Sequence, residues 1–199
     1  MSKKIKVAVT GGIGSGKSIV CDLLEKKGYP IIRADVLGKE LLKNDSQVKA
    51  EIIREFGDEA YKYELPDHKF IAAQVFTNEQ KLKAINSIIH PRTLKIIEMK
   101  MADYLSSHDI VFVESALIYE AEREELFDYI LLVYSEDDLK ISRIIERDQE
   151  SIDNIRRRME NQIPDLQKKE WADFTIDNNG TLEDLNSKTE FILSLLKSM

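Results

Sequence analysis

Residues Gly11-Gly12-Ile13-Gly14-Ser15-Gly16-Lys17-Ser18 carry the spacing G-x-x-x-x-G-K-[ST], and the chemistry of that spacing is polyphosphate binding. Loop glycines let successive backbone N–H groups approach an anion that a Cβ would keep away. Lys17 reaches terminal phosphates, and the Ser18 hydroxyl can ligate Mg²⁺. A glycine-rich turn without a ligand is the plain rival. It loses because the flanking sequence supplies the strand and helix that the motif requires.

Four further residues could take part. Asp35 could accept a proton from an acceptor hydroxyl; an aspartate before Val36-Leu37 is equally suited to cap a helix, and both roles are compatible. Arg143 and Arg147 are spaced to share one helix face, where two guanidiniums suit a phosphoryl group in transfer. A solvated face paired with acidic neighbours is the alternative, and the phosphate loop favours the first reading. Glu114 ends an apolar run, where a carboxylate either helps to hold Mg²⁺ or is satisfied by the backbone. Arg156-Arg157-Arg158 reads as a solvated face, and His90-Pro91 as the end of an apolar helix.

The elements that must position these residues are legible in outline. Ile5–Thr10 reads as a buried strand before the loop, and Ile19–Lys27 as a helix ended by Gly28. Further strands are expected at Tyr29–Ala34 with Asp35 at the end, at Asp109–Val113, at Tyr129–Tyr134 and at Phe174–Asp177. Residues 36–104 are mostly helical in pattern, with Leu37/Leu41/Leu42, Ile52/Ile53/Phe56 and Ile85/Ile88/Ile89 as apolar stripes and a turn at Tyr61–Lys69. Charge-rich helical sequence fills 136–170, and Thr181-Leu182-Glu183-Asp184 opens a last helix. Apolar strands alternating with helices imply an α/β fold with a parallel sheet of about five strands, covered on both faces. Ligands of such sheets lie beyond the carboxyl ends of the strands, so the loop, Asp35 and Glu114 are expected to converge.

Composition sets the limits. The chain of 199 residues is 43% apolar and 33% charged, with a formal charge of −7. That size suits one α/β domain with a helical subdomain, and the acidic balance gives no general reason to bind nucleic acid. The single cysteine, Cys21, reads as a small buried residue. No apolar run approaches a membrane span and no signal-peptide core is seen, so a cytoplasmic protein without a membrane partner is expected. No Asn-Lys-x-Asp guanine-reading motif is present. A small-molecule kinase fits better than a GTPase or a motor ATPase.

The chain resembles the dephospho-CoA kinase family. The resemblance rests on Val9-Thr10-Gly11-Gly12-Ile13-Gly14-Ser15-Gly16-Lys17-Ser18, then Ala34-Asp35, Phe56-Gly57, Val75-Phe76, His90-Pro91, Arg143 with Arg147-Asp148, Gln162, Ala172-Asp173 and Ile176-Asp177-Asn178-Asn179-Gly180. It implies transfer of the ATP γ-phosphoryl group to the ribose 3′-hydroxyl of dephospho-CoA, with Mg²⁺. It also implies a three-layer P-loop NTPase core (1–35, 105–135 and 171–199), a helical substrate domain (36–104) and a helical lid (136–170). Thr10, the loop, Ile19, Arg143 and Arg147 then become nucleotide contacts. Asp35, Lys17 and Arg143 become catalytic, Ser18 becomes the metal ligand, and the molecule is expected to act as a monomer. The sequence departs from the family's pattern at Ile19 (usually Thr), at Arg33 (usually Asp), at Glu114-Ser115-Ala116-Leu117 (usually Asp-x-Pro-Leu) and at His68-Lys69 (arginine is common). Arg33 either disturbs the neighbouring Asp35 or steers a phosphate-bearing substrate. The other readings are a nucleoside or nucleotide kinase of similar core, and a nucleotide-binding regulatory protein that has lost catalysis.

Overall fold

The structure is a computed structural model describing residues 3–199, with the backbone alone for Phe76 and Thr77. Met1 and Ser2 of the expected core, and the side chain of Phe76 in the Val75-Phe76 mark, therefore lie outside the described residues. In chain order the elements begin with β1 (Ile5–Thr10), α1 (Lys17–Lys26), β2 (Ile31–Arg33), α2 (Ala34–Asn44) and α3 (Ser46–Phe56). The short strands β3 (Tyr61–Lys62) and β4 (Leu65–Pro66) precede α4 (His68–Thr77) and α5 (Glu79–Ser107). Then come β5 (Ile110–Glu114), β6 (Tyr129–Tyr134), α6 (Asp137–Asp148), α7 (Ile152–Glu160), α8 (Asp165–Trp171), β7 (Phe174–Asp177) and α9 (Leu182–Ser198). The chain divides into two units, Met1–Ile32 with Met101–Met199, and Arg33–Lys100.

The first unit is built on a five-stranded sheet of order β2-β5-β1-β6-β7. Strand β1 runs parallel to β5 and β6, with Val7 opposite Phe112 and Tyr129, and β6 runs parallel to β7. Side chains alternate across a strand, and β1 shows the consequence. Ile5, Val7 and Val9 join a core with Val20, Cys21 and Leu24 of α1 and Leu185, Leu193 and Leu196 of α9. Ala8 points the other way, into a cluster with Ile118, Tyr119 and Ile130. Both faces are therefore covered, as near-continuous apolar strands require. Phe112 is fully buried and meets Tyr29 edge to face, with ring centroids 5.8 Å apart. Phe112→Ala should cost about 3–5 kcal/mol of stability, measured by chemical denaturation.

In the second unit, Leu41, Leu42, Val48, Ile52, Phe56, Ile71 and Ile88 form a separate core. Asp45 caps α3 by accepting from the amides of Gln47 and Val48, and Gly57 ends that helix at φ 89°. Two expectations fail here. The stretch Tyr61–Lys69, expected as a turn, holds an antiparallel hairpin, β3–β4, whose two loop residues, Tyr63 and Glu64, both have positive φ, and its last residues, His68 and Lys69, open α4. Helix α5 does not end at His90 but continues through Pro91. Proline removes an amide donor from the helix interior. The carbonyl that loses this donor is that of Ser87; one residue on, the Arg92 guanidinium donates to the Ile88 carbonyl at 2.7 Å and pairs with Glu51, tying α5 to α3.

Candidate active site

The loop between β1 and α1 is shaped by what approaches it. Gly16 is the N-cap of α1 in the left-handed region, at φ 98°, and a Cβ there would collide with the Asn178 side-chain amide. Helix α1 consequently starts at Lys17, two residues before the expected Ile19. No acidic residue lies in its first turn, so the positive end of the helix is left for an anion. Lys17 lies over the loop, its Nζ donating to the carbonyls of Gly11 and Gly12 at 2.7 and 3.1 Å. The Ser18 hydroxyl donates to Glu114 Oε1 at 2.6 Å. Residues 96 positions apart thus meet where β1 and β5 end side by side. This places Glu114 beside the predicted metal ligand, a contact that the spacing of the sequence leaves open.

The flank of the loop is lined by the end of β7 and by α6. Asn178 Nδ2 donates to the Ser15 carbonyl at 2.8 Å. Arg143 donates to the Asn178 carbonyl at 2.8 Å and to Ser135 Oγ at 3.1 Å. Arg143 is thus tied to a residue that holds the loop. Arg147 shares α6 but forms a bidentate pair with Asp148, and its side chain is 65% exposed. This hydrogen bond holds the Asp148 carboxyl below its ordinary range. Arg158 of the basic triplet pairs with Glu150. Thr10 is fully buried at the end of β1, its hydroxyl unpartnered among the described residues. Ile19 is 44% exposed in the first turn of α1.

Asp35 is an exposed residue in the first turn of α2. The expected strand Tyr29–Ala34 is shorter than the apolar run, covering Ile31–Arg33, and helix begins at Ala34. The N-cap position belongs to Arg33, whose side chain makes no capping bond, so Asp35 is not the cap. Its remaining helical role is electrostatic, since a carboxylate in a first turn faces the positive end of the helix dipole.

Lys140 and Asp165 were not legible as site residues. Lys140 of α6 and Asp165 of α8 form an ion pair of 2.7 Å with side chains only 5% and 4% exposed. Asp165 Oδ1 also accepts the Gly12 amide at 2.8 Å. Burial opposes the Lys140 charge, but bonds to Asp137 and Asp165 outweigh it and raise the ammonium above its ordinary pKa. The signal in the sequence was periodic: Lys140 falls one turn before Ile144, on the buried stripe of α6.

Comparison with known proteins bears on the family and the fold. The family profile described as dephospho-CoA kinase matches residues 5–184. A dephospho-CoA kinase of Chlorobium chlorochromatii is 37% identical over 92% of this chain and 90% of its own. The crystal structure of TT1252 from Thermus thermophilus superposes with a TM-score of 0.84 at 29% identity, covering 98% of each chain. The dephospho-CoA kinase from Campylobacter jejuni, 24% identical over 97% of each chain, shares the fold with a TM-score of 0.73. With nearly the whole chain matched and the loop intact, the protein belongs to the dephospho-CoA kinase family.

Proposed function

We propose that the protein transfers the γ-phosphoryl group of ATP to the ribose 3′-hydroxyl of dephospho-CoA, giving coenzyme A and ADP. The observation that carries this reading is the family match over residues 5–184, which includes the phosphate loop with Lys17 held across it. The 3′-oxygen attacks the γ-phosphorus, the bond from that phosphorus to the bridging β-phosphate oxygen breaks, and the hydroxyl proton passes to Asp35. Lys17 exchanges its bonds to the Gly11 and Gly12 carbonyls for phosphate oxygens. Arg143 neutralises charge that develops on the transferring group.

Ser18 and Glu114 fit Mg²⁺, since a hydroxyl and a carboxylate oxygen at 2.6 Å are hard donors of the kind it takes beside phosphates and water. When bound, Mg²⁺ would neutralise phosphate charge. The roles of residues 36–104 as substrate domain and 136–170 as lid belong to the same proposal. A lid excludes water, which would otherwise consume ATP without phosphorylating the acceptor. Among the described residues no helix is long and apolar enough to cross a membrane. A cytoplasmic location and a monomeric state belong to the same proposal and rest on the family, whose activity is metabolic.

The test is turnover with ATP and Mg²⁺ against dephospho-CoA and a panel of nucleosides and nucleotides. Dephospho-CoA should be the preferred acceptor. Activity on nucleosides with none on dephospho-CoA would point to the other kinase reading.

A further inference from the structure

We propose that the Lys140–Asp165 ion pair, together with Gln162, is the positioning device of the phosphate loop: it fixes the first half of the loop by taking the Gly12 and Ile13 amides, and so presents the remainder to the ATP phosphates. The proposal rests on the reading of the loop as the ATP phosphate site.

Asp165 Oδ1 accepts the Gly12 amide at 2.8 Å, and Gln162 Oε1 accepts the next amide, that of Ile13, at 2.9 Å. The Gly12 amide is buried and the Ile13 amide half-buried, and both find acceptors in side chains of one short segment, 153 and 149 residues away. The approach is close. A Cβ on Gly12 would lie 2.6 Å from Asp165 Oδ2, so this glycine is needed for Asp165 as well as for any phosphate.

Asp165 is itself held from two sides. Lys140 reaches its Oδ2 at 2.7 Å, which leaves Oδ1 for the loop. Farther along α8, the fully buried Lys168 pairs with Glu120 at 2.7 Å and donates to the Ala116 carbonyl at 3.3 Å. Glu120 Oε1 also takes the Ile163 amide at 3.0 Å. The segment that carries Gln162 and Asp165 is therefore pinned to the chain following β5, and its acceptors are fixed in place. Asp165 keeps a buried ammonium partner in Lys140, and Lys168 with Glu120 fixes the segment that carries it; buried charges persist only when paired and hydrogen-bonded in this way.

The test separates the acceptor from the charge. Removing one charge alone leaves the other buried and unpaired, so paired variants are used. Lys140→Met with Asp165→Leu removes both charges and the Gly12 acceptor. Lys140→Met with Asp165→Asn removes both charges but keeps an acceptor oxygen. ATP and adenosine affinities are measured by calorimetry, alongside Tm. The Leu variant should bind ATP at least tenfold more weakly, with adenosine affinity unchanged, and the Asn variant should recover most of the loss. In turnover the loss should fall on KM for ATP, while KM for dephospho-CoA stays constant.

A folded Leu variant with wild-type ATP affinity would overturn the proposal, as would equal losses for ATP and adenosine. If that variant does not fold, Gln162→Ala decides: a severalfold loss confined to ATP supports the proposal, and wild-type ATP affinity overturns it. A wild-type chain that binds no ATP would overturn the phosphate-site reading and this proposal together. Wild-type binding with an unaltered Leu variant would overturn this proposal alone.

Discussion

Asp35→Ala lowers kcat by about 10²–10⁴-fold and leaves ATP affinity near the wild-type value, because a positioned general base contributes on that order. In free energy this is roughly 3–5 kcal/mol of barrier. The competing helical role is far smaller. An exposed first-turn carboxylate gains less than about 1 kcal/mol from the helix dipole, and Asp35 is not the N-cap of α2. The two contributions therefore separate by size. Rapid-quench turnover measures the first, and thermal unfolding measures the second. Asp35→Asn, which keeps the shape and loses the basicity, should resemble the alanine variant in turnover. A near-normal rate in either would remove Asp35 from the chemistry.

Lys17→Ala should lower kcat by about 10²–10³-fold, the range seen when one charged or hydrogen-bonding stabiliser of a transition state is removed. The Lys17 ammonium is already held by the Gly11 and Gly12 carbonyls, so it needs little ordering to meet a phosphate. Adenosine affinity should change little, since the lost partner is phosphate. Lys17→Arg should not restore the rate, because a planar guanidinium is bulkier than the compact ammonium that must reach the phosphates across the loop. Steady-state kinetics with ATP, compared with direct adenosine binding, distinguishes this outcome from a general loss of the nucleotide site.

The readable parts of the fold are those fixed by local pattern. Tyr129–Tyr134 and Phe174–Asp177 form strands over the expected residues, and Thr181 with Asp184 makes a full capping box at the start of α9. Each depends on β-branched content or on a side chain reaching three residues along the chain. The parts that escaped are settled by distant partners. Pro91 reads as a helix end, yet the helix runs on, and the next residue, Arg92, is anchored to Glu51 of α3. The Tyr63-Glu64 hairpin loop lacks the Asn-Gly or Asp-Gly that normally marks positive φ, so only the pairing of β3 with β4 reveals it.

The site divides in the same way. The loop and its helix were legible because one contiguous motif holds them. The Ser18–Glu114 contact joins the first turn of α1 to the end of β5, far apart in sequence, and the pairing of β1 with β5 brings them together. Lys140 and Asp165 lie in the charge-rich helical stretch 136–170, where no motif singles them out, while the structure buries both. Arg147, read as a companion of Arg143, spends its guanidinium on the adjacent Asp148. Local charge pairing of that kind is cheap to form and leaves no periodic signature.

The most direct test of the account is product analysis after incubation with ATP, Mg²⁺ and dephospho-CoA, using mass spectrometry for stoichiometry and phosphorus NMR for the position of the new phosphate. The account predicts equal amounts of ADP and coenzyme A, with the new phosphate on the ribose 3′-oxygen. ADP and inorganic phosphate without a phosphorylated acceptor, or a phosphate at another position, would contradict it.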